Sequence, residues 1–130
     1  MTVLETEWWN MALAPEWWAE MEDDTVVVGD EDGVGCLEFS TVLKASGTFS
    51  DAELRDIAAA ESPAVKGWRP VERGDFSGVE ASFLEDGIAV REWYLAAGEA
   101  LLFISYSCEA ENRGMDDAAV DALLDTLARA

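Results

Sequence analysis

Polar and apolar positions alternate with a period of two through the middle of this chain and switch to a helical period in two places. Thr25 to Gly29 carries three consecutive Val residues, and Gly33 to Lys44 reads as a longer strand. Asp32-Gly33 between them is a hairpin-turn signal, since glycine accepts the positive φ that tight turns require. Ser50 followed by Glu53 makes a capping box, and Leu54, Ile57 and Ala58 form an apolar stripe through Ala60 that Ser62-Pro63 brings to a stop. This predicts a short amphipathic helix lying on a sheet.

After Trp68 to Arg73 come three strand-like runs, Asp75 to Leu84, Ile88 to Leu95 and Glu99 to Cys108, separated by Glu85-Asp86-Gly87 and Ala96-Ala97-Gly98. Such short turns predict an antiparallel meander. A last helix begins near Asp116 and Asp117, acids that suit its positive end, with Val120, Leu123, Leu124 and Leu127 as its buried stripe. Together these elements predict an α+β fold, an antiparallel sheet of about six or seven strands flanked by two main helices.

The paired indoles refine that expectation. Neighbours in a strand point to opposite faces, so Trp8 and Trp9 in a strand require cover on both faces or leave one ring exposed. A sheet sandwiched between layers is the simpler expectation. Trp17 and Trp18 lie between Ala14-Pro15 and Glu22-Asp23-Asp24, which predicts a short turn or loop whose indoles offer a binding surface. No linker or low-complexity tract divides the sequence, so one domain is expected over residues 1–130.

Charge changes the picture most. Against 28 Asp and Glu stand 8 Lys and Arg, a formal net charge of −20. Residues 1 to 43 hold 11 of those acids and no base, Lys44 being the first cation. No sequence neighbour neutralises them, so they face solvent, a cation or a basic protein. A phosphate backbone would be repelled, which sets direct nucleic-acid binding aside. Solubility or adaptation to a salty cytoplasm accounts for the same excess as well as a functional acidic face does.

No apolar run approaches the roughly 20 residues needed to cross a bilayer, and no basic-then-apolar leader is visible, so the expected compartment is the cytoplasm. Cys36 and Cys108 are too few for a disulfide scaffold and are expected to be reduced core residues.

Histidine is absent, which removes the commonest general base and metal ligand. No nucleophile elbow, Walker loop or dinucleotide fingerprint occurs, and two cysteines 72 residues apart make no zinc site. Asp30-Glu31-Asp32-Gly33 has the look of a calcium loop, but Val28 stands where the first ligand belongs, so a solvated hairpin turn is expected. No catalytic residue, metal or cofactor is predicted.

Several of these segments carry a resemblance. Arg73-Gly74-Asp75-Phe76-Ser77-Gly78-Val79, Arg91-Glu92-Trp93-Tyr94-Leu95, the run Leu101 to Tyr106 and the closing Val120 to Leu127 helix resemble the PsbP-like fold, as does Pro15-Glu16-Trp17-Trp18 near the start. That fold is shared by photosystem extrinsic P proteins, Ran-binding Mog proteins and many small bacterial proteins, one branch of which chaperones membrane-inserting segments of type VI secretion effectors. The resemblance implies an α/β/α sandwich, and members that are mainly adaptors, chaperones or subunits.

The expected function is therefore a non-enzymatic acidic module that binds a basic or partly hydrophobic protein, as an inhibitor, a chaperone or an adaptor. Its partner-binding residues are expected to be Trp17, Trp18, Glu22, Asp23, Asp24, Asp30, Glu31 and Asp32. A carboxylate-dependent hydrolase or a small-ligand-binding domain with converging acids is the alternative, and a homodimer stays open.

Overall fold

The computed structural model of the chain describes residues 2–130. In order, its elements are β1 (Thr2–Glu5), β2 (Trp9–Leu13), β3 (Trp17–Glu22), β4 (Thr25–Asp30), β5 (Gly35–Leu43), α1 (Asp51–Glu61), β6 (Arg69–Arg73), β7 (Phe76–Glu85), β8 (Ile88–Ala97), β9 (Ala100–Glu109), α2 (Asp117–Leu124) and β10 (Ala128–Arg129). Seven strands form one antiparallel sheet in the order β3-β4-β5-β9-β8-β7-β6, and β1-β2-β10 form a separate three-stranded sheet. The chain adopts the expected α+β fold with two helices, and the antiparallel sheet expected to have about six or seven strands has seven.

Local chemistry explains most of these elements. Asp86 (φ 50°) and Gly87 (φ 81°) both take left-handed conformations between β7 and β8, the pair of angles a two-residue hairpin turn needs. Helix α1 starts where Ser50 Oγ accepts from the Glu53 N–H (3.1 Å) while Glu53 returns a carboxylate oxygen to the Ser50 N–H (3.1 Å). Its buried stripe is Leu54 and Ala58, as the spacing predicts.

Strand parity then decides what each face of the large sheet meets. On one face Val26, Val28, Leu37, Phe39, Trp93, Leu95, Leu102 and Ile104 pack against Trp9, Met11 and Leu13 of β2 and Val120, Leu123 and Leu124 of α2. On the other, Val79, Tyr94, Ala96 and Leu101 pack against Leu54 and Ala58 of α1. The large sheet is thus flanked by helices on its two faces as expected, with the three-stranded sheet added beside α2 on one of them. That three-stranded sheet depends on the far C-terminus, Ala128 pairing with Asn10 and Arg129 with Trp9.

A charged cluster fixes α2 to the large sheet. Glu80, almost fully buried, accepts from Arg69 (3.1 Å), Arg73 (3.0 Å) and Trp93 Nε1 (3.2 Å). Arg73 also reaches Asp121 (3.2 Å) and Asp125 (3.1 Å), and Arg91 reaches Asp121 (2.8 Å) while lying 4.6 Å from the centre of the Trp93 ring. Burial works against the Arg73 charge, but its bonds to Glu80 and Asp125 and the charge of Asp121 hold its pKa above the ordinary value.

The structure corrects the placement of the second tryptophan pair. Trp17 and Trp18 belong to strand β3, which pairs with β4 from Trp17–Asp30 to Glu22–Thr25, and not to a loop. The turn that closes this hairpin is Asp23-Asp24, with Asp23 at φ 52° and no glycine to announce it. Adjacent strand residues face opposite ways, so Trp17 is driven into the core at 6% exposure while Trp18 stays on the surface at 42%. Trp17 therefore cannot serve as an exposed anchor. The first pair divides similarly: Trp9 opens β2, stacks on Phe39 (4.9 Å between ring centres) and donates to Thr41, while Trp8 just before it is exposed.

These positions predict opposite outcomes for neighbouring residues. Trp17→Ala empties a core site and should lower unfolding free energy by about 3–5 kcal/mol, whereas Trp18→Ala should cost about 1 kcal/mol or less, both measured by urea denaturation.

Candidate functional site

Helix α1 lies over β7 and β8 and leaves the same face of β3, β4, β5 and part of β9 without cover. Alternation delivers Trp18, Glu20 and Glu22 of β3, Val27 of β4, and Cys36, Glu38, Ser40 and Val42 of β5 to that open face. Phe103, Ser105 and Ser107 of β9 and Glu92 of β8 continue it. In register, Glu20 faces Val27, Val27 faces Glu38, Glu38 faces Ser105 and Ser105 faces Glu92. Glu38 and Glu92 thus lie two strand spacings apart, about 10 Å.

The Trp18 indole lies across Gly29, where a β-carbon would collide with its six-membered ring. Only a glycine on β4 lets that ring lie flat on the sheet. At the other end, a groove of about 500 Å³ runs between α1 and the sheet, lined by Val42, Phe49, Ile57, Tyr94, Leu101 and Phe103, with Glu61, Ser62 and Glu92 among its polar groups. Tyr94 packs on Phe103 (4.9 Å) and under the edge of Trp68 (5.4 Å), and Ser62 Oγ donates to Glu92 (2.8 Å). Burial, and then the charges of Glu92 and Glu61, push the Tyr94 phenol above its ordinary pKa against the opposing effect of Ser62. Aromatic floor and negative rim together suit an apolar side chain next to a cation.

No cation offsets that rim. Every ion pair among the described residues uses Glu53, Glu80, Asp117, Asp121 or Asp125, so none of the 11 acids in residues 1 to 43 has a basic partner. Lys44 is engaged at the start of α1, bound to Glu53 and over the Phe49 ring.

The residues predicted to bind are dispersed. Trp18 and Glu22 share the open face, while Trp17 lies beneath it in the core. Asp23 and Asp24 form the turn at one end of β4, beside Glu7, Trp8 and Met21 on the rim of a second groove of about 320 Å³. Asp30, Glu31 and Asp32 lie at the other end of β4, roughly 20 Å away by strand length. The eight do not form one site. Glu61, Glu92, Tyr94 and Phe103, which line one groove, and Glu38 and Glu20, which extend the same face across four strand spacings, about 19 Å, were not among them, although polar residues alternating with apolar ones in Cys36 to Val42 signalled a half-exposed strand.

The Asp30–Asp32 turn behaves as a hairpin turn but acquires a third acid. Asp30 accepts from the Asp32 N–H (3.0 Å) and Asp32 from the Val34 N–H (3.0 Å). Asp116, buried at the start of α2, brings a carboxylate oxygen within 4.8 Å of both, the one such trio among the described residues able to chelate a cation. Its other role is explicit: Asp116 accepts from the Tyr106 hydroxyl at 2.6 Å. Cys36 and Cys108 are free and project from opposite faces of the sheet, which rules out a bond between them. Burial, then the Glu38 charge, raises the Cys36 thiol above its ordinary pKa.

No protein family and no curated protein matches the sequence. Among solved structures, the chain is similar to one from Bacteroides thetaiotaomicron VPI-5482, with a TM-score of 0.68 at 15% identity, over 95% of this chain and 45% of that one. The likeness concerns the fold. This chain spans less than half the length of that protein. Among the described residues, no helix is long and apolar enough to cross a membrane.

The Tyr106–Asp116 bond predicts a pH response. Burial, then the Asp116 hydrogen bond, raises the Tyr106 pKa far above the usual value near 10, so above pH ~10 the unfolded chain loses a proton that the folded chain keeps. Stability should be intact below pH ~10 and fall as pH rises beyond it. Tyr106→Phe should cost about 1–3 kcal/mol at neutral pH and flatten that alkaline slope, measured by denaturation from pH 7 to 11.

Proposed function

We propose that the uncovered half of the large sheet docks a basic, partly apolar segment of another protein, and that the chain is a binding module without catalytic activity. One observation carries this: the open face carries Glu20, Glu22, Glu38 and Glu92 between Trp18 and the Phe103 groove, with no ion pair to any of them among the described residues. Exposed carboxylates of one sign speed encounter with an opposite charge, and aromatic surface holds the complex once formed. Affinity of that kind falls as salt rises.

An inhibitor of a cationic protein, a chaperone of a partly apolar segment and an adaptor all use such a face. The resemblance to PsbP-like proteins, in which adaptors, chaperones and subunits predominate, agrees with this class of role.

A synthetic peptide of alternating Lys and Val provides the probe. Its affinity, followed by calorimetry at low salt, should drop about 3-fold to 100-fold in the combined variant Glu20→Gln, Glu22→Gln, Glu38→Gln, since each exposed pair contributes roughly 0.2–1 kcal/mol. The same number of neutralisations elsewhere, Asp56→Asn, Glu72→Gln and Glu85→Gln, should change it less than twofold. Equal losses in the two variants would show that net charge alone acts, and the proposed face would be abandoned.

A further inference from the structure

The two edges of the large sheet are unequal. Edge strand β6 carries Pro70 beside the exposed Arg69, features that discourage pairing with another strand. The opposite edge, β3, has neither proline nor base over its six residues, Trp17–Glu22. Among the described residues its only sheet neighbour is β4.

Backbone hydrogen bonding shows which groups β3 leaves free. The Glu31 N–H donates to the Glu16 carbonyl (3.0 Å) at the foot of the β3–β4 ladder. In an antiparallel pair the bonded positions alternate, so Trp18, Glu20 and Glu22 bond inward to β4 while Trp17, Ala19 and Met21 turn their N–H and C=O groups outward. Consistently, the Trp17 N–H is taken by Ala14 O (3.0 Å) and not by β4. Ala19 and Met21 are left with backbone donors and acceptors aimed off the sheet, and Met21 is 65% exposed.

We infer that the partner segment binds as an added strand along β3, an inference that rests on the acidic-face function proposed above and names its mode. A strand laid there bonds to Ala19 and Met21 through its main chain. Alternate side chains on it then fall beside Trp18, Glu20 and Glu22 on the open face, and the intervening ones beside Ala19 and Met21 on the other. Complementarity therefore selects an amphipathic strand: apolar then basic residues on one face, apolar residues on the other. A second copy of this chain is disfavoured as the occupant, since β3 against β3 sets Glu20 and Glu22 against their like and joins two chains of formal charge −20.

The alternating Lys/Val peptide and a twin N-methylated at every Val, the residues whose N–H groups would face Ala19 and Met21, separate the two claims. Hydrogen exchange on the full chain, followed residue by residue, should show the Ala19 and Met21 amides protected at least tenfold by the parent peptide, and the methylated twin should bind at least tenfold more weakly. Binding of both peptides alike, with Ala19 and Met21 still exchanging freely, would overturn strand addition and leave the acidic-face function standing. No binding by either peptide at low salt would overturn both.

Discussion

Positive charge is the scarce resource of this molecule, and where it is placed organises everything else. Eight cations serve 28 acids, and Arg69, Arg73 and Arg91 converge on Glu80, Asp121 and Asp125 at the junction of β6, β7, β8 and α2. Burying Glu80 would be costly alone, since a desolvated carboxylate needs both a counter-charge and hydrogen bonds; here it has two arginines and the Trp93 indole. The concentration of cations there leaves the β3–β5 half of the sheet without them. Fold stability and an uncompensated negative face are in this sense two results of one distribution.

Cover is distributed in the same lopsided way. Helix α1 has 11 residues, about 16 Å of length, and lies across β7 and β8, whereas a seven-stranded sheet is close to 30 Å wide. A single short helix cannot shield that width. The face beneath it therefore divides into a packed half, with Leu54 and Ala58 on Val79 and Ala96, and a half where strand parity sets glutamates and serines beside Val27 and Phe103. The groove of Tyr94 and Phe103 marks the seam between the halves.

How much of this was legible in the sequence follows from how local each signal is. The meander of β7, β8 and β9, the β4–β5 hairpin and α1 are announced by Gly33, Gly87, Gly98 and the Ser50–Glu53 box, all of which act within a few residues. The β3–β4 hairpin was missed because Asp23 takes a left-handed conformation that glycine usually supplies, and Pro15 before the Trp pair suggested a loop. The three-stranded sheet was missed because it is completed by Ala128 and Arg129, over a hundred residues from β2. The acids were countable, but their grouping was not: Glu20, Glu38 and Glu92 fall in one row on one face only through the registers of four strand pairs. Asp116 joins Asp30 and Asp32 for the same reason, since the residue before α2 comes beside that turn only in the folded chain.

Within β3 one pair of residues separates structure from recognition. Trp17 and Trp18 are chemically identical, yet pleating sends one into the core and lays the other over Gly29 on the surface, so the strand is held by one indole while the other remains free to contact a ligand. Glu20 and Glu22 follow Trp18 on the same face, and they resolve the hazard that an open edge creates. Unpaired backbone groups at Ala19 and Met21 would template any neighbouring strand, including another copy of the chain. In the proposed docking mode, like charges at the flanking positions would repel a second copy and attract a basic strand, so the same two carboxylates would set the difference between two affinities from which specificity arises.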